Sequence, residues 1–279
     1  MESLLPNIAS PHRIHRPQPT PVGPSVDSEE WSWEVKIYTL DRFTVVLANE
    51  NTLSFNGKAQ RRPLELLKVL IAHGGLEVGV QLLIDALWAE SDGDAGYIAL
   101  HTTLHRLRKL LGCKQAVVLN GGRLSLDARF VWLDIWAFER LAGRLDIALI
   151  EAQDSDISRH TRQLCHLYRE PFLKEHLTPW AEARRERLHN HFTRALRTTG
   201  DYWEQRGQWP QAVELYQRGL ELDRSSEEFC RRLMVAYIQL GCNGEALTVY
   251  RRCCAVLQAA FGIAPSPETE AVRVSLGGV

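Results

Sequence analysis

The sequence is short of most features that assign a chain to a familiar class. It has no apolar run of about 18 residues or more, so no segment reads as a membrane-spanning helix. Residues 1–10 include Glu2, Pro6 and Asn7 and lack the apolar centre of a secretory signal. The cysteines (Cys113, Cys165, Cys230, Cys242, Cys253 and Cys254) contain no Cys-x-x-Cys pair. That spacing argues against a disulfide framework or a zinc site, and reads as small apolar core residues in a reducing cytoplasm. Gly74-Gly75 and Gly121-Gly122 are not followed by Gly-Lys-Ser/Thr, and no Gly-x-Ser-x-Gly elbow occurs, so nucleotide-loop and hydrolase readings fall. His101 and His105 are four apart, but Thr102 stands where a helical metalloprotease carries glutamate, and no third ligand is apparent. His189 and His191 fall on different sides of a helix. Asp134, Glu139 and other scattered acids show no pairing suited to acid–base chemistry and read as solvated helix faces. What remains is a chain expected to be no enzyme, with no cofactor and no metal. Its net charge is only −1, so any nucleic-acid contact must come from a local patch.

What is present has a clear order. Residues 1–30 hold six of the twelve prolines and read as a disordered tail or linker. Val35, Ile37 and Tyr38, then Phe43, Val45 and Leu47, then Leu53 and Phe55 alternate with polar residues, which predicts a small antiparallel sheet. From Pro63 the period changes. Leu66, Leu67, Leu70 and Ile71 form a helical stripe ending at Gly74-Gly75, and a short helix is predicted over Val80–Trp88. A third helix is predicted from Ala95 to Leu111. Two β segments around Asn120-Gly121-Gly122-Arg123 then predict a hairpin. Sheet, three helices and hairpin is the order of a winged helix, whose last helix before the hairpin enters the major groove. Beyond Trp132 the pattern is helical. Gly207, Ala212 and Tyr216 recur as Gly241, Ala246 and Tyr250 at a 34-residue offset, the period of tetratricopeptide helix pairs.

The third helix carries the chemistry. Leu100, Leu104, Leu107 and Leu111, spaced 4, 3 and 4, form one buried stripe. The other side carries His101, Thr102, His105, Arg106, Arg108 and Lys109. From Ala95 to Leu126 there is no Asp or Glu, while Arg106, Arg108, Lys109, Lys114 and Arg123 lie in the same stretch. An acid-free basic face beside a glycine hairpin suits a phosphate backbone, which acids would repel. Residues 31–130 hold 12 Lys and Arg against 10 Asp and Glu, so binding per domain should be modest and use a homodimer or tandem sites.

The segment Ala99-Leu-His-Thr-Thr-Leu-His-Arg-Leu-Arg-Lys-Leu-Leu111 resembles the recognition helix of OmpR-type winged helices, and more closely that of SARP-type regulators with a bacterial transcriptional activator domain. Leu82-Leu-Ile-Asp-Ala-Leu-Trp88 is similar to the preceding helix, and Trp136-Ala-Phe-Glu-Arg-Leu141 to the start of the activator domain. Tyr168-Arg-Glu-Pro-Phe-Leu173, Trp180-Ala-Glu-Ala-Arg184 and Phe261-Gly-Ile-Ala-Pro-Ser-Pro-Glu-Thr269 resemble its later landmarks. The resemblance implies a mainly α chain. An α+β winged helix-turn-helix over 31–130 is followed by an all-α tetratricopeptide-like domain over 131–279. It implies a cytoplasmic transcription regulator, an activator that binds promoter repeats in duplex DNA and contacts RNA polymerase. His101, Thr102, His105, Arg106, Arg108, Lys109 and the wing residue Arg123 would face DNA, with Lys58, Arg61 and Lys114 as further phosphate contacts. The wing departs from the usual Gly-Tyr-Arg. Gly122-Arg-Leu-Ser-Leu-Asp127 and Trp132-Leu-Asp-Ile-Trp-Ala137 resemble the variant at the C-terminus of MalT-like signalling ATPases, which implies an upstream regulatory region. The competing reading is a protein-interaction scaffold in which the winged helix is only structural.

Overall fold

The computed structural model describes residues 33–53 and 58–276, without the side chains of Lys58 and Ala59. The proline-rich segment, Phe55 and the expected Lys58 contact therefore lie outside the described residues. The chain is mainly helical with two small sheets. Strand β1 (Val35–Tyr38) buries Val35 and Ile37 and pairs antiparallel with β2 (Thr44–Leu47). Helix α1 (Lys58–Ala72) buries Leu66, Leu67, Leu70 and Ile71 completely. It stops where Gly74 and Gly75 both take positive φ, their amides closing on Ile71 O and Leu70 O. Strand β3 (Val78–Gly79) leads into α2 (Val80–Leu87), and α3 runs from Gly93 to Leu111. A 3₁₀ turn (Lys114–Ala116) precedes the hairpin of β4 (Val117–Asn120) and β5 (Arg123–Leu126). Gly121 and Gly122 form its turn with φ of 53° and 73°, the doubly left-handed turn that a twisted two-residue hairpin needs.

Two strands depart from the sequence expectation. The hairpin gains a third strand because β3 pairs antiparallel with β5. The first sheet is not wholly antiparallel: β6 (Val131–Leu133), at the point where only helix was expected, adds in parallel to β1 and gives the order β2-β1-β6.

The remainder is helical: α4 (Asp134–Ile150), α5 (Asp154–Leu167), α6 (Pro179–Gln205), α7 (Trp209–Leu222), α8 (Glu227–Gln239), α9 (Asn243–Phe261) and α10 (Pro267–Ser275). The 34-residue repeat has a structural counterpart. Gly207 N donates to Glu204 O and Gln208 N to Trp203 O; 34 residues on, Gly241 N donates to Ile238 O and Cys242 N to Tyr237 O. Both glycines take positive φ to make the turn. Helices also approach closely at Gly200 and Gly219, where a Cβ would stand 2.4 Å from Tyr216 and 2.6 Å from Phe229. No described helix is long and apolar enough to cross a membrane.

The junction between the sheets and the helices rests on Asp134, the first residue of α4. Far from lying on a solvated face, as the sequence suggested, it is buried. It accepts from the Thr39 amide, from Thr39 Oγ1 at 2.7 Å, from the Leu40 amide at 2.7 Å and from the Ile135 amide at 2.8 Å. The carbonyls of the same two residues are also taken. Leu40 O accepts from the amides of Arg169 and Glu170, and Thr39 O from that of Leu173. Arg185 secures the 168–176 segment from behind through the carbonyls of Phe172, Leu173 and His176. Across the same boundary Lys68 Nζ donates to His176 Nε2 at 2.8 Å, and burial lowers the pKa of both groups. One apolar cluster runs from Val35 to Leu233 without a break.

Burial pushes the Asp134 carboxyl up to about 6, while its four hydrogen bonds pull the other way. Because the folded value lies above the unfolded one, the unfolded chain releases this proton first. Asp134 therefore lowers stability as pH rises from about 4 to about 6, by about 3 kcal/mol in total, and adds no slope above that. Denaturant titrations across that window should show the unfolding free energy of the native chain falling relative to that of Asp134→Asn by this amount. Asp134→Ala leaves buried donors without an acceptor and should cost about 3 kcal/mol or more at neutral pH.

Candidate nucleic-acid interface

Helix α3 is amphipathic in fact as well as in pattern. Leu100, Leu104, Leu107 and Leu111 are buried, while His101, Thr102, His105, Arg106 and Lys109 are exposed. Its start carries Asp92 and Asp94 and its last turn Arg108 and Lys109, an order that complements the helix dipole. The left-handed Gly112 ends it, the Gly112 amide donating to Lys109 O. The cationic half of the helix thus lies toward the hairpin. Arg106 and Lys109 form no ion pair or side-chain hydrogen bond among the described residues, so their charges stay available to an external anion.

The expected site residues do not all stand alike. Arg108 is half-buried, and its Nε donates to Val117 O on β4 at 2.9 Å, so it braces the hairpin against the helix. Arg123 is exposed beside the Gly121-Gly122 turn, its Nη1 donating to Glu77 O at 3.0 Å. Lys114 is exposed in the 3₁₀ turn between helix and hairpin. Arg61 sits on α1, where it and Arg62 both pair with Glu65 at 3.0 Å, so part of its charge is already neutralised.

Two residues of the exposed face escaped the sequence reading. Tyr97 and Ile98 are 44% and 67% exposed on the first turns of α3. Tyr97 packs on His101 with ring centroids 4.6 Å apart. The signal was available: 97, 101 and 105, like 98, 102 and 106, are steps of four along the helix surface. Large exposed apolar groups are unusual on a helix otherwise polar on that side. A further unnoticed neighbour is Glu77, whose carboxylate accepts from Ser125 Oγ at 3.3 Å and places one acid on the flank of the hairpin.

The crossing of α2 and α3 is held by Gly96. A Cβ at that position would stand 2.6 Å from Ile84 Cγ2, so the helices touch where any side chain would separate them. The Gly96 amide closes the first turn on Asp92 O at 2.8 Å.

An exposed basic helix between a short helix and a hairpin, backed by stacked helix pairs, is the build of a regulator that presents a helix to an outside partner. Residues 133–276 match the bacterial transcriptional activator domain, and the chain belongs to that family. Regulators of this family are DNA-binding transcriptional activators. The chain is 27% identical over 213 residues to the regulatory protein AfsR of Streptomyces griseus, a match covering 76% of this chain and 22% of that protein. It thus spans about a fifth of that relative's length. Among solved structures it resembles Mycobacterium tuberculosis EmbR in complex with a low affinity phosphopeptide, with a TM-score of 0.66 and 20% identity, over 87% of this chain and 65% of that one. These matches bear out the resemblance to SARP-type regulators with a bacterial transcriptional activator domain.

The Gly96 contact generates a double-mutant test. Gly96→Ala should destabilise the chain by about 1–3 kcal/mol through overpacking. Ile84→Ala removes the opposing methyl, so the pair should lose less than the sum of the single changes, measured by denaturant unfolding.

Proposed function

We propose that the chain is a sequence-specific, duplex-DNA-binding transcription regulator that acts as an activator. In this reading residues 31–130 form a winged helix-turn-helix and 131–279 a tetratricopeptide-like activator domain that contacts RNA polymerase. The single observation that carries it is the exposed face of α3 beyond its first turn: from Ala95 to Leu111 it has no acid and carries unpaired cations, and it is continuous with a hairpin that the same helix braces. Helix α3 lies in the major groove. Ile98, Thr102 and Arg106 form the line along its middle. Thr102 and Arg106 offer hydrogen bonds to base edges, and Ile98 offers an apolar contact for a thymine methyl. His101 and His105 flank that line. Lys109, Lys114 and Arg123 meet phosphates along the backbone, with Arg123 carried on the wing. Arg108 acts on the hairpin rather than on DNA, and Arg61 contributes little while Glu65 holds it.

The modest charge balance of this half supports use of two sites, through a homodimer or tandem binding on promoter repeats. The reading as a pure protein scaffold is disfavoured, because a winged helix with only a structural role has no reason to keep acids off one face.

A salt titration of binding to duplex DNA tests the proposal. The intact chain should lose affinity steeply with salt. Arg106→Ala/Lys109→Ala should bind more weakly and lower the slope of log K against log salt by about 1, for the lost Lys109 phosphate contact, with unfolding unchanged. Equal slopes for the two proteins would remove α3 from the interface.

A further inference from the structure

A second surface lies among α5, α7, α8 and α9. Two cavities, of about 610 Å³ and about 650 Å³, share a wall formed by Gln217 and Glu221 of α7. The first opens between α5 and α7, and the second between α7 and α9 over a floor from α8. Either volume alone fits a small ligand, for which roughly 300–1,000 Å³ is usual, but two adjoining cavities suit an occupant that runs on from one into the other.

The lining specifies its chemistry. The second cavity is largely apolar, with Cys230 and Leu233 on its α8 floor and Leu220, Val249, Cys253 and Val256 on its α7 and α9 walls. Its cations are Arg224 and Arg252, both exposed and without an ion pair among the described residues. Its one acid, Glu221, is already held by Arg218 at 2.7 Å. The first cavity adds Arg162 and Glu214. It also holds unused hydrogen-bonding capacity. Thr161 is only 6% exposed, and its Oγ1 has no partner, nor has Oε1 of Gln211 on the same wall. Buried polar atoms left unpaired cost free energy, and an occupant that supplies main-chain N–H or C=O groups removes that cost.

We propose that this groove takes an extended peptide segment of another protein, in which acidic side chains alternate with apolar ones. The apolar side chains sit over the α8 floor. The acidic ones face Arg224, Arg252 and Arg162, and the peptide backbone meets Thr161 and Gln211. Free cations exceed free acids along the groove, which selects an acidic partner over a basic one. A nucleic acid fits poorly, because the floor is apolar and Glu214 and Glu221 stand in its path. The surface is separate from α3, so the inference does not rest on the DNA-binding reading.

The test selects short random peptides displayed on phage against the full chain. Enriched sequences are then measured as fluorescein-labelled peptides by anisotropy. Peptides combining Asp or Glu with Leu, Ile or Phe should be enriched, and Arg224→Glu/Arg252→Glu should weaken them by about tenfold or more. The same variant should keep its unfolding transition and its salt-dependent affinity for duplex DNA, which separates loss of this site from misfolding. Failure to enrich any peptide, enrichment of basic peptides, or equal affinity for the charge-reversed variant would overturn the proposal. So would dodecanoate displacing the peptides at equal concentration, which would assign the groove to an apolar anion instead.

Discussion

One buried carboxylate joins the two halves of the molecule. Asp134 opens the first long helix after the sheets, and three of its four hydrogen bonds reach back to Thr39 and Leu40. The carbonyls of those residues in turn anchor the segment at Arg169, Glu170 and Leu173. A charge buried this deeply is tolerable only where donors surround it, and here they come from both halves at once. The tie therefore fixes where the sheet ends, where α4 begins and how the helical half meets α1. The parallel strand β6, immediately before Asp134, belongs to the same device, since it delivers the carboxylate to the end of β1.

That joint decides what α3 is free to do. Helix α1 packs behind α3, the Gly96–Ile84 contact sets the crossing with α2, and Arg108 holds the hairpin alongside. The buried leucine stripe consumes one side of the helix, so everything polar is pushed to the other. The helical half shares the same apolar cluster as far as Leu233, so it meets the sheets and α3 through packed side chains rather than through a loose linker.

Local features were legible in the sequence. The leucine spacing in α3, the Gly121-Gly122 turn and the 34-residue repeat each depend on residues close along the chain, and the structure has them as expected. Long-range pairing was not legible. The β1–β6 contact joins segments with three helices and a hairpin between them, and β3 is two residues long, too short for any period to show. Asp134 read as one more acid on a solvated helix face, because nothing in its neighbourhood reveals a partner 95 residues away. Arg108 was grouped with the DNA-facing residues by helical position and by the family resemblance; its attachment to Val117 depends on where the hairpin packs. Tyr97 and Ile98 were visible in principle, as the same two surface lines carried one turn further back.

The central claim is that one exposed line of α3 reads base sequence. Selection of bound duplexes from a random DNA library, with the intact chain and with Arg106→Ala in parallel, tests it most directly. The account predicts a defined consensus for the intact chain. For the variant it predicts the same consensus with selectivity lost at one or two adjacent base pairs. No consensus at all, or an identical consensus for both proteins, would contradict it.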